Sequence, residues 1–419
     1  MIDFSLTEQQ LAIQKTAKDF AEKEIKPLAA EIDRIADPSK AWNWEIYTKA
    51  NQLGFNKILI PQKYGGLGLT ALEAVIVIEE LSVADAGVGS SYFVHNANTR
   101  MIDDAATEEQ KQEFLTACCN DPEDRYFIAV AETEHGVTGD LRRRAKGAEK
   151  VTAGQVNPAD FMSTTVVPPT SQREYTTIAK RKGDEWVING MKRFITFGTR
   201  AKLYLVAAKI DPELDDLTGV ATFFVPAGRR GLSFGHIEDK MGHRGTENAE
   251  VIFDDCRVPD SWKWDFRASI MMRGTTLNVL AAAVAVGIGR RAFEEAIAYA
   301  QTRYKYGGLI IFHQAVQRML VDMAINVKTA RLLTWLAAWQ DEKVAGYGAL
   351  QSMAKVYSAD VAIQTTLHGI QVFGGYGYMR DLPLEKLHRD ARLMSIYDGS
   401  NEALRHMVIT PVIAAEGTA

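Results

Sequence analysis

Tyr175-Thr176-Thr177-Ile178-Ala179, Lys182-Gly183-Asp184-Glu185 and Trp186-Val187-Ile188-Asn189 follow one another closely in the middle of the chain. The outer two are β-branched or aromatic runs of strand length, and the one between them is a turn built on glycine and aspartate. Runs of the same kind recur at 126–130, 203–207, 221–225 and 250–253. Turns rather than helical periods separate them, which points to an antiparallel sheet unit and not to alternating strand–helix–strand repeats. Within this region, 141–174 is polar, contains prolines and has no pattern; it begins with Leu141 and then Arg142-Arg143-Arg144-Ala145-Lys146. It reads as a solvated loop insertion.

On both sides of the sheet the texture is helical. Upstream, Thr7-Glu8-Gln9-Gln10 opens a segment with Leu11, Ile13, Ala17, Phe20 and Ile25 near helical spacing, and Pro27 interrupts or kinks it. Leu72, Val75, Ile76, Ile78 and Leu81 resume the pattern after a turn-rich loop at 60–69. Downstream, Ala292, Ala296, Tyr299 and Ala300 share a face, followed by Val316, Leu320, Met323 and Val327, then Leu332, Leu336 and Trp339. Several of these helices are apolar round most of their girth, as helices buried between subunits are. The expected fold class is mainly α with a central β-domain. Its parts are a helical domain over 1–124, a β-domain over 125–264 carrying the 141–174 insertion, and a helical bundle over 265–419.

Composition narrows the function. A chain of 419 residues exceeds what one core supports. Its 48 Lys and Arg against 53 Asp and Glu leave a net charge of −5, which argues against a nucleic-acid binder. Cys118, Cys119 and Cys256 form no disulfide framework, so a reducing compartment is expected. The opening MIDFSLTEQQ lacks the features of a signal peptide, and the expected location is cytoplasmic. The apolar stretch at 279–288 is about half as long as a membrane span and reads as a buried core helix. No metal-ligand spacing, P-loop, Rossmann fingerprint or nucleophile elbow is present.

Six segments, in order, carry a resemblance over nearly the whole chain. They are Pro61-Gln62-Lys63-Tyr64-Gly65-Gly66-Leu67-Gly68, Ala131-Glu132-Thr133-Glu134-His135-Gly136 up to Asp140, and Asn189-Gly190-Met191-Lys192-Arg193-Phe194-Ile195-Thr196. The others are Met241-Gly242-His243-Arg244 with 253–259, Arg303-Tyr304-Lys305-Tyr306-Gly307, and Gln371 through Arg389-Asp390-Ala391-Arg392 to Asp398-Gly399-Ser400. The chain resembles the acyl-CoA dehydrogenase family of flavoproteins. That resemblance implies an N-terminal helical domain, a middle β-barrel-like domain and a C-terminal four-helix bundle, assembled as a homotetramer with FAD.

The resemblance also carries roles. Thr133, Phe194, Ile195 and Thr196 match the segments that hold the isoalloxazine ring, with Phe194 where the family usually has Trp. Arg303 and Tyr306 match residues of the adjacent subunit that meet the pyrophosphate, a task suited to a guanidinium fork. Gln314, Gln371, Gly374 and Gly375 match further FAD contacts, and Ser400 and Glu402 match positions near the adenosine. Ser90, Gly139, Asn278, Tyr397 and Gly399 match positions around the substrate, and the bulk of Tyr92 and Phe93 favours a short, branched or cyclic acyl group. The basic run after Leu141 matches the region of the CoA entrance.

The main departure is at the base. The family's usual Glu is replaced in Ile396-Tyr397-Asp398-Gly399-Ser400 by Asp398, whose carboxylate is retracted by about 1.5 Å, one carbon–carbon bond. An alternative base position falls on Leu277, which leaves Asp398 as the candidate. The expected activity is FAD-dependent dehydrogenation of an acyl-CoA thioester. In it Asp398 removes the α-proton, a β-hydride leaves for flavin N5, and an electron-transfer flavoprotein is the acceptor. The alternative is a nitroalkane oxidase-like flavoprotein, which resembles this chain in using Asp as base and passes electrons to oxygen.

Overall fold

The structure is a computed structural model that describes residues 5–134, 175–211, 219–341, 349–405 and 408, with the backbone alone described over 265–275. The N-terminal helices start where local side chains close the first turn. Helix α1 (Glu8–Phe20) opens with Thr7 and Gln10 in a reciprocal capping box, and α4 (Ala71–Ala84) does the same with Thr70 and Glu73. Pro27 acts as its chemistry dictates. It has no N–H to give and crowds the preceding turn, and a π-turn over Ala21–Ile25 takes up the break before α2 (Lys26–Arg34). Helices α3 (Trp44–Gln52), α5 (Ala86–Ala105) and α6 (Glu108–Cys119) complete this layer.

The central sheet contains β1 (Ile128–Ala131), β2 (Ile178–Lys182), β3 (Glu185–Thr196), β4 (Leu203–Lys209), β5 (Val220–Pro226), β6 (Leu232–Ile237), β7 (Asn248–Pro259) and β8 (Lys263–Asp265). Strands β2 and β3 form the hairpin read from 182–185, pairing Lys182 with Glu185. The strand order is β6-β7-β3-β2-β4-β5-β8, with β1 joined to β4. Most pairings are antiparallel, as expected, but β1 and β2 each meet β4 in parallel. This mixed character lies in how distant segments meet, since β1 and β4 are 75 positions apart in register (Ile128 with Leu203).

Downstream, α7 (Phe266–Thr302), α8 (Gln314–Asp341), α9 (Ala349–Phe373) and α10 (Leu384–Leu393) pack together. Helix α7 is apolar and long enough over Thr276–Thr302 to cross a membrane, yet 83% of its most apolar window is buried in the protein. It is the bundle's core helix, packed against α4, α5, α8 and α9. A buried ionic cluster ties the N-terminal layer to the bundle. Arg290 of α7 reaches Glu79 at 2.8 Å and Glu80 at 2.7 Å, and Arg331 of α8 also pairs with Glu79.

Candidate active site

The segment after α10 delivers Asp398 on an unusual backbone. Asp398 and Gly399 have φ of 50° and 91°, two left-handed residues in succession. Aspartate tolerates this region better than most side chains, and glycine is free in it. Position 399 suits glycine because its φ of 91° strains any L side chain, and a Cβ there would also press on Leu404 Cδ2 at 3.1 Å.

Tyr397, immediately before the carboxylate, is held through Ser90 to the N-terminal layer. His243 Nε2 faces the Asp390 carbonyl at 3.0 Å, so that nitrogen carries the proton. His243 Nδ1 therefore accepts from Ser90 Oγ at 2.9 Å, and Ser90 in turn accepts from the Tyr397 hydroxyl at 3.1 Å. Burial lowers the pKa of His243 and keeps it neutral. Burial, and then the neighbouring Asp398 charge, raise the Tyr397 phenol, which stays a hydroxyl donor. Below this chain, Lys386 bridges Asp85 at 2.8 Å and Asp390 at 2.7 Å, locking α10 to the start of α5.

Tyr92 and Phe93 diverge, because successive helical residues point about 100° apart. Phe93 meets the Tyr397 ring edge-on at 5.7 Å, beside the candidate base. Tyr92 turns the other way and donates to Asn51 Oδ1 at 2.8 Å in the N-terminal core, so its bulk cannot line an acyl pocket at Tyr397. Asn278 on α7 is buried and donates to Ser352 Oγ of α9 at 3.3 Å.

A second group gathers on the β-domain. The Thr133 carbonyl accepts from Arg193 N at 2.8 Å, bringing Thr133 to the 193–196 segment. There the β3–β7 register shifts, Phe194 takes a positive φ, and the residue is 55% exposed. Asn248 clamps this bulge, its Nδ2 donating to the Phe194 carbonyl at 2.9 Å and Thr196 Oγ1 at 3.1 Å. Ile195 points into the core.

A third group lies at the end of the bundle. The Arg303 guanidinium stacks over Tyr376 at 5.2 Å and forms no ion pair among the described residues. Tyr306, Gln314, Gln371, Gly374 and Gly375 lie on the two chain segments that supply Arg303 and Tyr376, all exposed. A Cβ at Gly374 or Gly375 would meet nothing within 4 Å, so the backbone is open to close approach. Ser400 accepts from Ala403 N at the start of the last helical turn, with Glu402 exposed beside it. Gly139 and the 141–174 insertion lie outside the described residues.

Family models match the chain in sequence: acyl-CoA dehydrogenase N-terminal domain over 7–121, middle domain over 169–256 and C-terminal domain over 270–412. The chain belongs to the acyl-CoA dehydrogenase family. It is 31% identical to the short-chain-specific acyl-CoA dehydrogenase of Clostridium acetobutylicum, covering 97% of this chain and 98% of that one. Its structure matches butyryl-CoA dehydrogenase from Megasphaera elsdenii with a TM-score of 0.84 at 28% identity, over 98% and 100% of the two chains. It also matches a chain from the structure of the electron transferring flavoprotein of Acidaminococcus fermentans, with a TM-score of 0.83 at 32% identity over 98% and 99%. The chain is accordingly an acyl-CoA dehydrogenase of the FAD-dependent, flavoprotein oxidoreductase type.

Within that family frame, several supports of the site have no signal in the sequence. His243 sits in the 241–244 segment, where nothing local marks its bond to Ser90. Asn248, Asn401 and Lys355 carried no local signal, because each acts on a segment distant in sequence.

Proposed function

We propose that this acyl-CoA dehydrogenase oxidises a short-chain acyl-CoA thioester, with Asp398 as the base that removes the α-proton. The observation that carries the reading is a half-buried carboxylate on a left-handed turn, flanked by Tyr397 pinned to Ser90 and by a glycine. A carboxylate carried on a backbone held in this way has less freedom to lose when substrate arrives, which favours general-base catalysis. Phe93, packed edge-on against Tyr397, supports a short acyl chain, as do relatives named for short-chain and butyryl substrates.

The donor set fits FAD. Arg303 suits a pyrophosphate, the exposed amides of Gln314 and Gln371 suit polar edges, and Gly374 and Gly375 admit close approach. The Thr133, Phe194 and Thr196 group would hold the isoalloxazine, with the Phe194 ring as packing surface. FAD, when bound, supplies the acceptor for the β-hydride. Tyr397 and Ser90 fix the approach to Asp398, and Asn278 stands on α7, bonded to Ser352 of α9.

The protein works as a homotetramer that passes electrons to an electron-transfer flavoprotein. Apolar residues Val321, Ile325, Leu332, Leu336 and Trp339, all exposed on α8 in the single chain, support assembly. The match to the Acidaminococcus fermentans chain supports the electron-transfer partner.

The test is anaerobic titration of the FAD-loaded protein with butyryl-CoA, longer acyl-CoA thioesters and a primary nitroalkane. Bleaching of the flavin by butyryl-CoA is expected. Bleaching by the nitroalkane alone would replace this reading with nitroalkane oxidation.

A further inference from the structure

The left-handed turn at 398–399 needs a partner to hold it, and α9 provides one. Lys355 of α9 is 1% exposed, and its Nζ donates to the Gly399 carbonyl at 2.6 Å and to Asn401 Oδ1 at 3.1 Å. Asn401 then returns to α9, donating to Asp360 Oδ1 at 2.8 Å and to the Val356 carbonyl at 3.3 Å. The residues at 355, 356 and 360 thus stitch the segment after Asp398 onto one stretch of helix.

We propose that Lys355 is a positioning residue for Asp398, clamping the Gly399 carbonyl so that the carboxylate is held on its left-handed turn. The proposal rests on the reading of Asp398 as the base. A buried ammonium is costly to desolvate, and a position that only needed filling would be served by methionine or leucine. Its charge strengthens the hydrogen bonds to Gly399 and Asn401. The arrangement is two-sided: Tyr397 is pinned through Ser90 and His243 to the other layer, while Gly399 is pinned to α9. Asp398, between them, is fixed from both directions. Without the clamp the Gly399 carbonyl loses its charged donor, the turn is held only through Tyr397 and Asn401, and the carboxylate is less tightly placed for the α-carbon.

The test compares Lys355→Met and Lys355→Arg in the FAD-loaded full-length protein, in both the wild-type and Asp398→Asn backgrounds. In the wild-type background, Lys355→Met should slow anaerobic flavin reduction by butyryl-CoA about 100-fold, with KM changed less than about threefold. Lys355→Arg, which keeps the charge and the donors, should recover at least about tenfold of that loss. Hydrogen exchange read by mass spectrometry should quicken over 395–404 and stay unchanged in the β-domain. In the Asp398→Asn background, Lys355→Met should cost less than about threefold more, because the group it positions is already gone. Equal losses in the two backgrounds, or unchanged exchange over 395–404, overturn the proposal. If Asp398→Asn reduces its flavin at the wild-type rate, the base assignment fails instead, and the exchange measurement alone judges the clamp. Should Lys355→Met not fold, Lys355→Gln enters the same comparison as a neutral donor, with an intermediate loss expected.

Discussion

Acid should loosen this protein at its buried histidines, and His95 isolates the effect. It is buried on α5, where Nδ1 accepts the Ile128 N–H of β1 at 3.1 Å and Nε2 faces the Asn56 carbonyl at 2.9 Å. The proton therefore sits on Nε2, and a second proton on Nδ1 would oppose the Ile128 N–H. Burial, offset in part by the Asn56 carbonyl, lowers its pKa from 6.5 to about 4. The unfolded chain thus takes up the proton first, so stability is present above pH 6.5 and is lost as pH falls toward 4. A shift of that size removes about 2 kcal/mol by pH 5 and about 3 kcal/mol by pH 4. In His95→Asn the amide oxygen can still accept from Ile128, but nothing titrates. The variant should be less stable at pH 7 by about 1–3 kcal/mol, for the Asn56 carbonyl it abandons. Urea unfolding at pH 7, 6 and 5 should show the gap between the two proteins closing by about 2 kcal/mol. His243 is lowered in both proteins and cancels from the comparison. Parallel stability curves would refute the account.

Other outcomes follow from the site and its supports. Asp398→Glu advances the carboxylate by about 1.5 Å and should slow flavin reduction by butyryl-CoA about 10–100-fold in stopped flow. Arg290→Met leaves Glu80, 2% exposed, without its paired guanidinium, and should cost about 3–5 kcal/mol in urea unfolding, most of which Glu80→Gln should return. Asn248→Ala releases the Phe194 and Thr196 bulge and should weaken FAD retention about tenfold in equilibrium dialysis, with circular dichroism unchanged.

What could be read from the chain alone was what a few neighbouring residues decide. Thr7 with Gln10 and Thr70 with Glu73 cap helices through bonds three positions apart, and Lys182 to Glu185 closes a hairpin on its own chemistry. The Tyr397-Asp398-Gly399-Ser400 motif likewise stands out in one dimension, departure included. The tertiary structure alone decided which distant side chains meet. Ser90 finds His243 and Tyr397 at separations of 153 and 307 residues, and Lys355 finds Gly399 at 44. It also decided that Tyr92 faces the N-terminal core while Phe93 faces Tyr397, and that β1 joins β4 in parallel. The reason is physical: caps and turns are satisfied within one or two turns of backbone. A buried lysine or serine, by contrast, must pair with whatever the docking of separate layers brings within about 3 Å, and no local pattern encodes that meeting.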